Sequence, residues 1–393
     1  MQTPSSPAAA ANHSWLAVLA VALATFSVVT TEMLPVGLLT PIAHDLGISS
    51  GSAGLLISVP ALLAAVFAPL VVIAAGGINR RRILCGLLIL LVAANTASAL
   101  APNMHWMLAA RLLVGVCMGG IWAIAGGLAT RLVLPQRVGL ATAIIFGGVA
   151  AASVLGVPLA AWTGELLGWR QAFAGMALLS ALVLLLHLAV IPSLPAVASV
   201  QLRHFAEQLG SRRVQLGLGV TLLLVTGHFA AFTFIRPLLE SVSGVGASWI
   251  GGLLLGYGTA GIAGNFLVGL VAPRHVTATV MAIAAGLLAT ALLFLCIGHA
   301  PLNGSILLLL WGLAYGGVSV GLMTWMMQAA PNAIEANSAL YVGAFNVAIA
   351  VGAWAGGRLL DQLGPAGNLW ATAVLSMAAL LCCIAALAPG RHR

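Results

Sequence analysis

The chain has 393 residues, of which 62% are hydrophobic and only 6% charged, with a formal net charge of +8. A mean hydropathy of +1.13 excludes a single soluble core, because there is too little polar surface to cover it. The positive balance does not point to nucleic acid either, since that partner needs a concentrated basic face and none is present.

Along the chain, apolar stretches recur at 15–39, 53–75, 83–101, 105–128, 138–163, 171–191, 215–239, 249–272, 276–298, 304–329, 337–360 and 368–388. Each is about 20 residues, the length a helix needs to cross a hydrocarbon core roughly 30 Å thick. Closed barrels would need short alternating segments instead, so an all-α membrane protein of twelve transmembrane helices is expected. The polar segment 1–14 carries neither a charged n-region nor a small-residue cleavage site, so the first span is expected to be retained.

All fifteen basic side chains are Arg. With a cytoplasmic N-terminus, eleven of them fall on the cytoplasmic side: Arg80, Arg81, Arg82, Arg131, Arg137, Arg203, Arg212, Arg213, Arg274, Arg391 and Arg393. Arg170 alone falls in a loop on the other side, a bias that predicts both termini in the cytoplasm. The five cysteines (Cys85, Cys117, Cys296, Cys382, Cys383) all lie in predicted spans and read as small apolar residues.

The polar interruption at 192–214 carries Pro192, Pro195, Arg203, Glu207, Arg212 and Arg213. It separates a six-helix unit at 15–191 from another at 215–388, followed by a tail at 389–393. An internal repeat supports the division. Gly115, Gly119 and Gly120 match Gly312, Gly316 and Gly317 at an offset of 197 residues. Gly147, Gly156, Glu165 and Gly168 match Gly343, Gly352, Asp361 and Gly364 at 196. Duplicated halves with a site at the membrane midplane and a rocking motion are one known transporter architecture. Small residues at helical spacing permit the close helix contacts it needs, although they also serve static packing.

Charges inside spans are costly and hence functional candidates: Glu32, Arg111, Arg236 and Arg358. Glu32 is the one carboxylate well inside a span and the first candidate for carrying protons. Alternatively it is an exposed group near the outer mouth, or forms a structural ion pair with Arg236, which lies in the equivalent neighbourhood of the second half because Pro35 and Pro237 end matching segments. Arg236 is also a candidate substrate ligand through its planar fork. Arg358 is expected to snorkel beside Asp361. His228, near the middle of span seven, either titrates, contacts substrate or is held by a neighbouring carbonyl. Trp122, Phe232, Trp311, Tyr315 and Asn346 offer the flat rings and placed polar groups of a small-molecule site, or simply pack. Trp15 and Trp106 read as belt anchors. No nucleophile elbow, Walker loop, H-E-x-x-H motif or clustered Cys/His set is read from the pattern. Seven acidic residues, mostly at loop edges, leave little material for paired-carboxylate chemistry.

The segments 30–49 (TTEMLPVGLLTPIAHDLGIS), 110–133 (ARLLVGVCMGGIWAIAGGLATRLV), 156–173 (GVPLAAWTGELLGWRQAF), 227–244 (GHFAAFTFIRPLLESVSG) and 345–364 (FNVAIAVGAWAGGRLLDQLG) resemble the major facilitator superfamily. More narrowly, they are similar to the twelve-span drug:H+ antiporter group that contains purine ribonucleoside and sugar efflux transporters. In GGINRRR (76–82), Gly77 and Ile78 stand where the family's loop motif has Asp and its first Arg, while Arg81 and Arg82 carry over. In span five Gly156-Val157-Pro158 replaces the usual Gly-Pro pair. The resemblance implies two six-helix bundles and a role for Arg111 in proton coupling; burial of Arg111 against backbone carbonyls is the alternative. It further implies a bacterial inner-membrane exporter of nucleosides or sugars, exchanging a small-molecule substrate for protons, monomeric, without cofactor or metal. An amphenicol-type drug exporter of the same fold and a non-transporting membrane receptor or chaperone remain as other readings.

Overall fold

The computed structural model describes residues 7–74, 78–195, 202–330 and 334–387. These are helical throughout, with no strand among the described residues. The elements are α1 (Pro7–Leu46), α2 (Ser50–Ala53), α3 (Leu55–Ala74), α4 (Arg80–Ala99), α5 (Met104–Leu132), α6 (Val138–Ala151), α7 (Val157–Leu166), α8 (Trp169–Val190) and α9 (Leu202–Leu209) in the first part of the chain. After them come α10 (Arg212–Phe232), α11 (Ile235–Ser241), α12 (Ala247–Ile297), α13 (Pro301–Gly316), α14 (Val318–Ala329), α15 (Ile334–Leu363) and α16 (Pro365–Leu387).

Eleven described helices are long and apolar enough to cross a membrane. One of them, α12, has 51 residues and would measure about 76 Å if straight, far beyond a core of roughly 30 Å. It folds back at His275, whose φ of −137° and ψ of 53° are not helical, just after Pro273. On either side of that break, Gly264 lies against Leu313 and Gly286 against Ala314, so both arms flank the same level of α13. The two predicted spans are thus present, and the total is twelve. The helices overrun the predicted spans at most ends: α1 reaches Leu46 where 39 was expected, and α15 begins at Ile334 and ends at Leu363 rather than at 337 and 360. Polar helix ends rise beyond the apolar run that hydropathy detects.

Proline sets the local breaks. Pro158 lacks an N–H and its ring crowds the carbonyl one turn back; the chain adapts with a π-helical segment at Ala152–Gly156 between α6 and α7. Pro237 likewise coincides with the interruption between α10 and α11 at Thr233 and Phe234. Pro35, by contrast, sits inside the unbroken α1.

The repeated glycines pack helices within each half. A Cβ on Gly115 would lie 2.6 Å from the Pro60 carbonyl, and one on Gly119 would lie 2.9 Å from that of Ala64, so α5 runs against α3 at backbone distance. Gly312 and Gly316 do the same for α13 against Tyr257 and Gly261 in the first arm of α12. Span four on span two is therefore reproduced as span ten on span eight. The positive-φ residues follow the repeat as well: Gly47 (65°) with Gly244 (66°), and Gly168 (92°) with Gly364 (70°). Each stands at a turn where a side chain would be strained.

Between the halves, α2 and α3 pack on α15, while α7 and the π segment pack on α12. Polar contacts across this seam gather at the end opposite the linker, called the far end below. There Arg236 donates to Glu165 (3.3 Å), to Glu240 (3.0 Å) and to the Gly37 carbonyl (3.1 Å). Thr40 donates to Glu240 at 3.1 Å. Asp361 accepts from the Ser49 hydroxyl (2.7 Å) and the Gly51 N–H (3.1 Å). Glu165 and Asp361, equivalent by the repeat, each reach into the opposite half. An apolar cluster of Leu39, Ala43, Ala53 and Phe234 seals the same end. At the linker end, the Arg131 guanidinium donates to the Pro195 carbonyl and the Arg80 N–H to that of Leu194, which ties the start of the linker to the first half. Arg391 and Arg393 lie outside the described residues.

Candidate functional site

The interior of the first half is polar around α1. Glu32 is 2% exposed and its Oε1 has no hydrogen-bond partner. Arg111, fully buried, stands two turns into α5 and donates through both terminal nitrogens to the Thr31 carbonyl, at 2.8 and 3.1 Å. Its guanidinium lies 5.2 Å from the Phe173 ring centre, an arrangement that partly replaces hydration of the charge. Thr31 also accepts from Asn95 Nδ2 (3.1 Å), and Asn95 reaches Ser180, which shares a 2.9 Å hydrogen bond with Ser27. Spans one, three, four and six are thereby joined through buried side chains. Glu32 lies within electrostatic reach of Arg111 and, across the seam, of Tyr315. Met33 packs against apolar cores of both halves.

The interior of the second half is aromatic. Tyr315 stacks on His228 with ring centres 3.3 Å apart, His228 on Phe232 at 4.8 Å, and Phe232 on Tyr257 at 4.6 Å. Trp311 is fully buried and donates its indole N–H to His228 Nδ1 at 3.1 Å. With Nδ1 accepting, the proton of the neutral ring sits on Nε2. The result is a four-ring column from spans seven, eight and ten, with two orienting neighbours, Trp311 and Phe229. The column carries one buried polar atom without a partner, the Tyr315 hydroxyl; Trp122 Nε1 and Asn346 Oδ1 are also buried and unpartnered. Asn346 spends its NH2 on the Val342 carbonyl, leaving its acceptor oxygen free. Trp122 belongs to the first half and packs at a tilt against Phe146, 5.8 Å between centres. Desolvated groups of this kind are kept where a ligand or water can complete them.

Four of the expected residues, His228, Phe232, Trp311 and Tyr315, therefore form one cluster, and Glu32 and Arg111 share the other centre. Arg236 joins neither. The alternative Glu32–Arg236 pair does not form; Arg236 joins the far-end network instead, because Pro237 places it at the start of the short α11, where Glu240 one turn on and Glu165 of α7 are both in range. Arg358 likewise does not pair with Asp361, whose oxygens are engaged across the seam. Tyr257, Asn95, Ser180 and Glu240 were not singled out by the sequence, and Glu165 only as the repeat match of Asp361. Glu240 had a signal in the i,i+4 spacing of Arg236-Pro-Leu-Leu-Glu240, and Tyr257 in being one of only three tyrosines. The G-x-S-x-G string does occur twice, at 47–51 and 317–321. Ser49 caps the short α2 and Ser319 lies inside α14, so neither stands on the strand-to-helix turn that makes a nucleophile elbow.

Twelve spans in two glycine-matched halves, with a polar and an aromatic centre facing each other across the seam, define the class of membrane transporters built from parallel six-helix repeats. The sequence profile of the Major Facilitator Superfamily matches residues 21–341, and the chain belongs to that family. It is 36% identical over 372 residues to the transcription regulatory protein OpdE of Pseudomonas aeruginosa, spanning 94% of this chain and 92% of that one. It is 31% identical over 364 residues to the purine ribonucleoside efflux pump NepI of Escherichia coli K12, spanning 93% and 92%. Among solved structures, a bacterial homologue of the human lysosomal transporter Spinster has the same fold, with a TM-score of 0.70 and 16% identity over 97% of this chain and 95% of the other.

Proposed function

We propose that the protein is a proton-coupled exporter of small polar or amphipathic solutes, with purine ribonucleosides and sugars as the favoured classes. The observation that carries this reading is the pairing of two unlike centres. A buried, incompletely bonded carboxylate, Glu32, stands beside a buried Arg111 in one half. In the other half stands a ring column that carries the unpartnered Tyr315 hydroxyl. A carboxylate in that setting binds and releases protons when access to water changes, and flat rings with a few polar groups suit a nucleobase or sugar face. The likeness to NepI, named as a purine ribonucleoside efflux pump, agrees with this choice.

The Arg distribution supports a cytoplasmic linker and cytoplasmic termini, and the family supports a bacterial inner membrane as the location. The far-end network then closes the outer side, and the conformation is one that receives substrate from the cytoplasm. Protonation of Glu32 from outside and its release inside reset the carrier, provided the two conformations differ in proton affinity. Counterflow in proteoliposomes with nucleosides, sugars and amphenicols tests the substrate: exchange of a nucleoside or sugar supports the reading, and exchange of amphenicols alone makes this a drug exporter.

The likeness to OpdE favours a second reading, a membrane protein that senses a solute and influences expression without moving it. Solute binding by the purified protein with no flux in proteoliposomes would select that reading.

A further inference from the structure

Arg358 lies on α15, five residues before its end at Leu363, so about 8 Å inside the helix terminus. It shares an exposed stripe with Val351 (44%) and Trp354 (51%), an apolar face of a spanning helix that meets lipid. Among the described residues Arg358 makes no hydrogen bond or ion pair. Its one charged neighbour in the cleft is Asp361, one turn on, which gives its oxygens to Ser49 and Gly51.

An arginine on a lipid-facing surface without a partner is costly, and its long stem lets the head reach toward the interface. Arg358 lines a cleft of about 310 Å³. Ser52 and Leu55 line that cleft from the first half, and Trp354, Arg358 and Asp361 from the second. The guanidinium fork matches phosphate oxygens bidentately, and a tryptophan beside it is the residue type that sits at headgroup depth. A cation, an interfacial ring, an apolar wall and a hydroxyl around one opening in a lipid-facing surface are the complement of a phospholipid.

We infer that this cleft binds the headgroup of one membrane phospholipid, with its phosphodiester on Arg358 and its chains along Leu55 and Trp354, and that the bound lipid holds the far end closed. The second part follows from the walls. They belong to different halves and meet at the backbone contact of Gly51 with Gly357, so separation of the halves at this end dismantles the site. A ligand that binds one of two conformations shifts the population toward it.

The test uses the full chain purified in detergent, with phosphatidylglycerol as the probe. Native mass spectrometry should show one retained lipid, whose bound fraction falls about tenfold in Arg358→Gln, the order expected for loss of a charge-assisted contact. Arg358→Lys, which keeps the charge but not the bidentate fork, should fall between the unaltered chain and Arg358→Gln. Spin labels at Leu167→Cys and Leu302→Cys, both highly exposed, in a Cys296→Ser, Cys382→Ser background, report the far-end distance. Phosphatidylglycerol should enrich the short distance in the otherwise unaltered chain and leave Arg358→Gln unmoved. Equal lipid retention by Arg358→Gln, or a lipid-induced shift that survives that substitution, would overturn the inference. The same shift produced by inorganic phosphate alone would also overturn it, by making the ligand a free anion.

Discussion

The two halves share a scaffold and differ in what it holds. Gly119 and Gly316 occupy matched positions and bring spans four and ten against spans two and eight at backbone distance. At the repeat offset, however, Arg111 corresponds to the buried Leu308. When Pro35 is set against Pro237, Thr31 falls on Thr233 but Glu32 falls on Phe234. The first half has become the charged, hydrogen-bonded centre and the second the aromatic one. Duplication preserves the packing glycines because a side chain there would strike backbone, whereas interior positions facing the partner half are free to diverge. Under the proposed function the difference is a division of labour: proton handling in one half and solute recognition in the other.

The scaffold is the place where the comparison is easiest to break. Gly316→Val would drive its Cβ into the Gly261 backbone, which cannot yield as a flexible side chain would; overpacking of this kind costs about 1–3 kcal/mol or more. Membrane-inserted, detergent-stable protein should nearly vanish, and Gly119→Val should do the same, as measured by yield and thermal midpoint. A healthy Gly316→Val protein would remove the shared-scaffold argument.

The aromatic column should answer to substrate and not to the proton. Tyr315→Ala and Tyr257→Ala each remove a stacking surface worth about 0.5–1.5 kcal/mol beyond its buried area. Equilibrium binding should weaken roughly tenfold in each, while the accumulation ratio at saturating substrate stays close to that of the unaltered chain. Trp122→Ala, on the other side of the seam, should weaken binding less.

The far-end network should answer to neither centre directly. Arg236→Gln leaves Glu165 and Glu240 facing each other without their cation, and removing one member of a partly buried set is destabilising to the form that contains it. A cysteine placed at the fully buried Leu39 should then react with a soluble thiol reagent several times faster. Thr40→Ala, which removes one hydrogen bond worth about 1 kcal/mol, should give a smaller increase in the same assay.

Much of this arrangement was legible in the sequence, and the parts that were not have a common cause. The twelve spans followed from apolar length, and the repeat from glycines that recur at nearly one offset. His228, Phe232, Trp311 and Tyr315 were each visible as a polar or flat group in an apolar helix. The partners of Arg236 and Asp361 were not, because Glu165 is 71 positions from Arg236 and Ser49 is 312 from Asp361; only the approach of the two halves makes them neighbours. Asn95 and Ser180 were missed for a related reason. A single Asn or Ser in a spanning helix is an ordinary residue until a second helix supplies its hydrogen-bond partner.

The division of labour rests most heavily on Glu32, and one substitution addresses it directly. Glu32→Gln keeps the size and hydrogen-bonding capacity of the side chain and removes its titration. Flux is measured in proteoliposomes with and without an imposed pH gradient, beside equilibrium substrate binding on the same preparation. The account predicts that Glu32→Gln binds substrate and exchanges it downhill but loses gradient-driven accumulation and its dependence on pH. Near-normal uphill accumulation by Glu32→Gln under the same gradient would contradict it, and would move proton handling out of the first half, toward His228.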